Sequence, residues 1–164
     1  LPIDPTMAVP LRHTRVAERA WRDALTLRYV PGFQYDDAPM TIRQQFEAAT
    51  FKAGSRRDRM AIQLSGEPIA IGKVQLWSEA TCLGAIQVPP DGQPLILLAD
   101  RQTVGGYPKL GAVLSCDCAR LSQTQPDCTV RFQAVTQQEA DRVLWLNQNY
   151  EREMRFSSLQ KGSF

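Results

Sequence analysis

Short apolar runs, each cut off by turn residues, set the pattern of this chain. Leu25-Thr26-Leu27-Arg28-Tyr29-Val30 alternates apolar and polar positions and ends at Pro31-Gly32, which predicts a strand with one buried face. Ala61–Leu64, Val74–Ser78, Gly84–Val88, Leu95–Ala99, Leu110–Ser115 and Thr129–Val135 read as further strands, and Thr50–Ala53 as extended chain. Pro89-Pro90-Asp91-Gly92 is a turn signal, so Ile86 and Leu97 fall in one hairpin. Arg56-Arg57-Asp58-Arg59 reads as a charged turn.

Helical spacing is rarer. Ile42, Phe46 and Ala49 recur every three to four residues behind an N-cap at Thr41, and Gly54 stops the pattern. Ala17–Ala24 predicts a short helix, and Ala119–Gln123 a helical turn. Thr136-Gln137-Gln138-Glu139 is a capping box opening a helix with Ala140, Val143 and Leu144 on its apolar side. Strands and helices do not alternate regularly. The expected fold is therefore mainly β, a barrel or sandwich capped by two or so helices. Residues 1–24, with Pro2, Pro5 and Pro10, read as a tether, residues 25–152 as the domain, and residues 153–164 as a tail. Phe46, Trp77, Phe132 and Trp145 fall at apolar positions and are assigned to the core.

Composition narrows the function without naming it. The chain has 164 residues, 43% hydrophobic and 22% charged, with a net charge of +2. That excludes an extended disordered chain and gives no electrostatic case for a nucleic-acid or membrane partner. The first residues lack the basic and apolar regions of a signal peptide, and with Leu at position 1 the chain reads as a processed or excised piece. Cys82, Cys116, Cys118 and Cys128 match no zinc spacing and are expected as free thiols in a cytoplasmic protein. On a strand, Cys116 and Cys118 would share a face, but two ligands are too few for a metal site.

Candidate chemistry gathers between residues 84 and 109. Leu95–Ala99 is an apolar strand flanked by Gln87, Asp91, Gln93, Asp100, Gln102, Thr103, Tyr107 and Lys109. A buried strand with polar ends is how a rigid scaffold presents a site. The glutamines offer donors and acceptors that suit an amide, urea or carboxylate ligand. Asp100 follows a buried strand and can pair with Lys109 or Arg101. Asp91 has two readings, a catalytic carboxylate or a group bonded to its own turn. Gly105-Gly106 with Lys109 is not a phosphate loop of the G-x-x-x-x-G-K-[ST] type. It reads equally as an approach for an anion or as a plain turn. His13 has no triad partner nearby, and the residues by themselves specify no reaction.

Gly84–Pro94, Leu97–Thr103 and Gly105–Lys109, flanked by Pro31-Gly32 with Gln34, Asp58-Arg59-Met60, Ser78-Glu79 and Val130-Arg131-Phe132, resemble the biotin-dependent carboxyltransferase / 5-oxoprolinase C-subunit family, also called allophanate hydrolase subunit 2 or KipA-like. The resemblance covers about residues 25 to 143. It implies a cyclophilin-like closed β-barrel, one of two related halves, and this chain is similar to the C-terminal half. It also implies a hydrolase component that opens 5-oxoproline with ATP, inactive as an isolated half. Alternatives are carboxyl transfer from carboxybiotin to urea, or a non-catalytic regulatory module like the antikinase antagonist. The implied partners are an N-terminal half, the A-subunit-like and the antikinase-like B-subunit-like proteins, and a small amide or lactam substrate. No cofactor is expected on this half alone, with ATP or biotin in the full assembly. Under this resemblance Asp100, Asp91 and Lys109 are cast as catalytic. Gln87, Gln93, Gln102, Thr103, Tyr107 and Arg59 are cast as substrate-binding. Ala61, Gln63, Ala80 and Val104 depart from the family pattern and bear on the substrate rather than the fold.

Overall fold

The computed structural model describes residues 24–71 and 78–160. Strand β1 (Ala24–Pro31) is followed by α1 (Phe33–Asp37) and α2 (Met40–Ala48), then β2 (Phe51–Arg57) and β3 (Ala61–Ser65). A two-residue strand, β4 (Glu79–Ala80), precedes β5 (Ala85–Gln87), β6 (Leu95–Leu97), a second short strand β7 (Val104–Gly105) and β8 (Lys109–Val113). Helix α3 (Ser115–Ser122), β9 (Thr129–Ala134) and α4 (Gln137–Gln160) complete the order. Seven strands close a mixed barrel in the order β1-β8-β5-β6-β3-β2-β9, with β9 and β1 parallel and the other neighbours antiparallel. The remaining pair, β4 and β7, forms a separate two-stranded ribbon. This is the closed barrel that the resemblance implies, with four helices rather than two.

Alternation fills the barrel. Leu25, Leu27 and Tyr29 of β1, Phe51 and Ala53 of β2, Ile62 and Leu64 of β3, and Val130 and Phe132 of β9 are all buried, every second residue pointing inward. Phe46 of α2 joins the Tyr29, Phe51 and Phe132 rings, with centroids 4.5 Å to 6.2 Å away. The core assignments of Phe46 and Phe132 hold. Trp145 does not belong to the core, since it is 63% exposed. Ala140 buries the first turns of α4, and the helix then presents Trp145, Leu146 and Tyr150 outward.

Several boundaries differ from the sequence pattern. Thr41 is not the N-cap of α2, because Pro39 holds that position and its carbonyl accepts the N–H groups of Ile42 and Arg43. Arg56 and Arg57 extend β2, so the turn narrows to Asp58–Met60, where the Asp58 carboxylate accepts the N–H groups of Met60 and Ala61. The strand expected to reach Ser115 ends at Val113, and a full helix replaces the expected turn at Ala119–Gln123. Cys116 and Cys118 therefore lie on helix α3, not on one face of a strand. Cys118 turns into the core while Cys116 stays half-buried. The hairpin that holds Ile86 and Leu97 forms as expected, with Ile96 opposite Ile86. Ala24, expected in a helix, starts β1. The tether, His13, Trp21, Trp77 and most of the Val74–Ser78 strand lie outside the described residues.

Gly84 sits where β5 meets β8. Its φ is +82°, and a Cβ there would lie 2.2 Å from the Val113 carbonyl oxygen. Gly84→Ala is expected to cost about 2–3 kcal/mol, a magnitude typical of left-handed strain in a side-chain-bearing residue. Urea unfolding would read the loss, and an unchanged midpoint would contradict it.

Candidate functional site

The polar residues of the 84–109 stretch part into three groups. Asp91 and Gln93 lie in the β5–β6 turn and are tied to backbone and neighbours. One Asp91 oxygen accepts the Gln93 N–H at 3.0 Å and the other accepts from Gln63 Nε2 at 3.1 Å. The Gln93 carboxamide docks on Gly66, accepting its N–H at 2.8 Å and donating to its carbonyl at 3.1 Å. Both side chains hold the turn to the end of β3, as the bonded-turn reading of Asp91 anticipates.

Asp100 and Arg59 meet at the opposite mouth of the barrel. Their ion pair is 2.7 Å long, with Arg59 84% and Asp100 47% exposed. Asp100 thus pairs with Arg59 and not with Lys109. A cleft of about 510 Å³ opens beside them, lined by Ile62, Leu83, Leu98 and Cys118 among others. A solvated pair of this kind is worth little to stability. Gln102, Thr103 and Tyr107 are exposed on the connection that leads away from this mouth.

The third group lies on the outer wall of the barrel. Ile86 and Val88 enter the core, so Gln87 between them faces outward. It is nevertheless completely buried, because the β4–β7 ribbon folds over it. A Cβ on Gly105 would stand 2.5 Å from Gln87 Nε2, so glycine lets the ribbon lie directly on the carboxamide. Lys109 is the β8 partner of Gln87. Its ammonium pairs with Glu79 at 2.7 Å and donates to the Ala80 carbonyl at 3.0 Å, clamping the ribbon to the barrel. Gln34 joins the two sides, accepting the Lys109 N–H at 2.6 Å and donating to Glu79 at 3.2 Å. Thr81 ties the ribbon to its other strand: its N–H donates to the Thr103 carbonyl and its hydroxyl to that of Gln102.

Within this tightly bonded group, Gln87 stands apart. Neither its Nε2 nor its Oε1 has a hydrogen-bond partner, and it is the only described residue with two such atoms. Burying an unpaired polar group costs about 1–3 kcal/mol, so this carboxamide calls for a partner, an ordered water or a ligand. A groove of about 590 Å³ runs along β8 and is lined by Lys109, the β8 partner of Gln87, with Thr81 and Ala85, while Gln87 itself stays outside its lining. That size suits a small organic molecule.

Gln34 and Glu79 are missing from the candidates read off the sequence. Gln34 meets Lys109 across 75 residues, and only the turn of α1 after β1 brings it there. Gln34 and Glu79 both lie in the flanking segments that carry the family resemblance, but local pattern alone does not show that they meet. Among the described residues no group of His, Cys, Asp or Glu is placed to hold a metal, and no helix is long and apolar enough to cross a membrane.

Comparison with known proteins gives the family. The family described as the carboxyltransferase domain, subdomain A and B, matches residues 3–134. The C subunit of 5-oxoprolinase from Haemophilus influenzae is 33% identical over 79% of the chain and 42% of its own length. That of Escherichia coli is 26% identical over 92% of the chain and 48% of its own length. The chain thus spans about half the length of these curated relatives. Among solved structures, TTHA0988 superimposes with a TM-score of 0.60 at 33% identity, covering 72% of the chain and 23% of that protein. The Kluyveromyces lactis urea carboxylase shares the fold, with a TM-score of 0.64 at 18% identity over 72% of the chain and 11% of its own. On the extent of the family match and the barrel that carries it, the chain belongs to the carboxyltransferase domain, subdomain A and B, family.

Proposed function

We propose that the chain is the amide-handling half of a hydrolase resembling the 5-oxoprolinase C subunit, acting in ATP-dependent opening of 5-oxoproline together with partner subunits. The observation that carries this reading is the buried, unpartnered carboxamide of Gln87 beside a groove of small-molecule size. The relatives named for 5-oxoprolinase support the substrate and the dependence on other subunits. In this reading Gln87 holds the substrate, and Gln34, Glu79 and Lys109 hold the ribbon that shuts water away from it. Lys109 is compensated by Glu79, so its charge is not free to bind a phosphate beside Gly105-Gly106. The residues around Gln87 do not fit a nucleotide, and ATP is assigned to the partner subunits or the remaining half of the assembly. Asp100 and Arg59, at the far mouth, are proposed to face such a partner rather than the substrate. Asp91 and Gln93 are proposed to act only by holding their turn.

The test is ATP hydrolysis by the assembled subunits. Addition of 5-oxoproline is expected to raise the rate only when this chain is present, and the chain alone is expected to be inactive. No stimulation by 5-oxoproline, with tight partner binding retained, would replace the enzyme reading with that of a regulatory module. Urea-dependent decarboxylation of carboxybiotin would favour the carboxyltransferase branch instead.

A further inference from the structure

We infer that the cleft between α3 and the β2–β3 turn is a docking socket for one acidic segment of a partner chain. A bulky apolar side chain of that segment fills the cleft, and carboxylates beside it meet Arg57, Arg59 and Arg101. This deepens the partner-facing reading of Asp100 and Arg59 given above and rests on it.

Room and lining come first. The cleft has a volume of about 510 Å³. That is the size class of a small-molecule pocket, enough for one large side chain and its flanking backbone. Its floor is apolar, since Ile62, Leu98 and Cys118 line it and are buried against the barrel. Burial pushes the Cys118 thiol up to about 12, so the floor carries no charge near neutral pH. The apolar surface also runs on past the cleft. Leu83, in the lining, is 37% exposed, and Met60, whose carbonyl accepts the Leu98 N–H at 2.7 Å, is 43% exposed. An apolar floor that continues into an exposed rim suits a stretch of chain lying across it, with one side chain as the anchor.

Charge selects the chemistry of that stretch. Arg57, Arg59 and Arg101 stand at this mouth against Asp58 and Asp100. The Asp58 carboxylate is taken by the N–H groups of its own turn, and Asp100 pairs with Arg59. Arg57 donates to the carbonyls of Leu121, Ser122 and Thr124. Arg101 donates to that of Leu98, and its Nε is buried and unpartnered. Among the described residues neither arginine has a carboxylate partner. The mouth therefore keeps an excess of positive charge around an apolar socket, which complements an apolar residue flanked by Asp or Glu. A basic segment would meet the same arginines as repulsion.

The test reads docking at this cleft with two kinds of probe. The first is the set of partner subunits, mixed with the full chain and followed by sedimentation at low and high salt. Ala119 is an exposed residue of the cleft lining, so Ala119→Phe fills the socket from its edge. It is expected to weaken association at least ten-fold and to unfold at the parent's temperature. Arg59→Glu is expected to weaken association several-fold at low salt and to flatten its salt dependence. A benzophenone photo-cross-linker placed at Met60 is expected to capture a partner segment beside an Asp or Glu. The second probe is the peptide acetyl-Gly-Glu-Phe-Glu-Gly-amide, titrated into the chain and read from the backbone resonances of Ile62, Leu83 and Leu98. It is expected to move them, and versions with serine for phenylalanine, or lysine for both glutamates, are expected not to. A cross-link to residues 1–23 of the same chain or to a second copy would overturn the inference, as would equal binding of the glutamate and lysine peptides. If the subunits associate and neither variant weakens them, the socket falls and the subunit reading stands. If 5-oxoprolinase-type subunits never associate but the glutamate peptide alone binds at the cleft, the socket stands and that reading falls.

Discussion

Asp117→Ala is expected to destabilise the protein by about 3–5 kcal/mol, the cost of breaking a buried ion pair from one side. Asp117 is completely buried at the first turn of α3. Its two oxygens receive the Arg28 guanidinium at 2.7 Å each, the Arg28 backbone N–H at 3.0 Å and Arg120 at 3.1 Å. The pair thus bolts α3 to β1, and the alanine would leave the half-buried guanidinium of Arg28 facing a void. The same contacts set a pH dependence. Burial alone pushes the Asp117 carboxyl up, but the hydrogen bonds from Arg28 outweigh it and hold the group below its ordinary value. A carboxyl depressed in the folded state stabilises that state above about pH 3.9, its unfolded value, and loses the contribution as pH falls through the folded value. Urea unfolding of parent and variant at pH 7 and pH 2 is therefore expected to show a wide gap that narrows in acid. A gap that stays constant would show that the loss comes from packing and not from charge.

Phe46→Ala is expected to cost a comparable amount, about 3–5 kcal/mol, through the cavity it leaves. Phe46 is the one apolar residue of α2 that is fully buried. Its ring lies 4.5 Å from that of Phe132, 5.6 Å from Tyr29 and 6.2 Å from Phe51, so it joins α2 to β9, β1 and β2 at once. Tyr29 and Tyr35 share the Glu47 carboxylate one residue further on, at 3.2 Å and 2.6 Å, which fixes the same helix from its polar side. Phe46→Leu is expected to recover most of the loss. If thermal unfolding places alanine and leucine variants together, the aromatic cluster does not carry the stability assigned to it.

Alternation made the barrel strands legible, because burial on one face imposes a period of two on β1, β3 and β9. The helix of Phe46 was legible for the same reason at a different period. The boundaries that shifted are those decided by contacts far along the chain. Leu114 and Ser115 continue an apolar run, yet the run turns helical where Asp117 meets Arg28, 89 residues away in sequence. The β4–β7 ribbon has two residues per strand and no pattern long enough to read.

The candidate site was legible in composition and not in arrangement. Gln87, Gly105 and Lys109 come together as one group, whereas Asp91 and Asp100 flank the same strands at opposite ends. Alternation could have separated them: Gln87 lies between Ile86 and Val88, so it must face away from the core. What local sequence could not show is that a ribbon from elsewhere covers that face.

The closure of the barrel by β1 has a consequence for how the chain acquires its shape. Among the described strands, β1 pairs only with β8 and β9, which begin at Lys109 and Thr129. Its backbone thus finds no sheet partner among the described strands before Lys109 has been made. Leu25, Leu27 and Tyr29 must wait, exposed, for Val130 and Phe132. Such long sequence separations slow folding and leave an apolar strand open to wrong pairings meanwhile. Strand β9 joins β1 and β2 at once, so the barrel closes only when Thr129–Ala134 is in place.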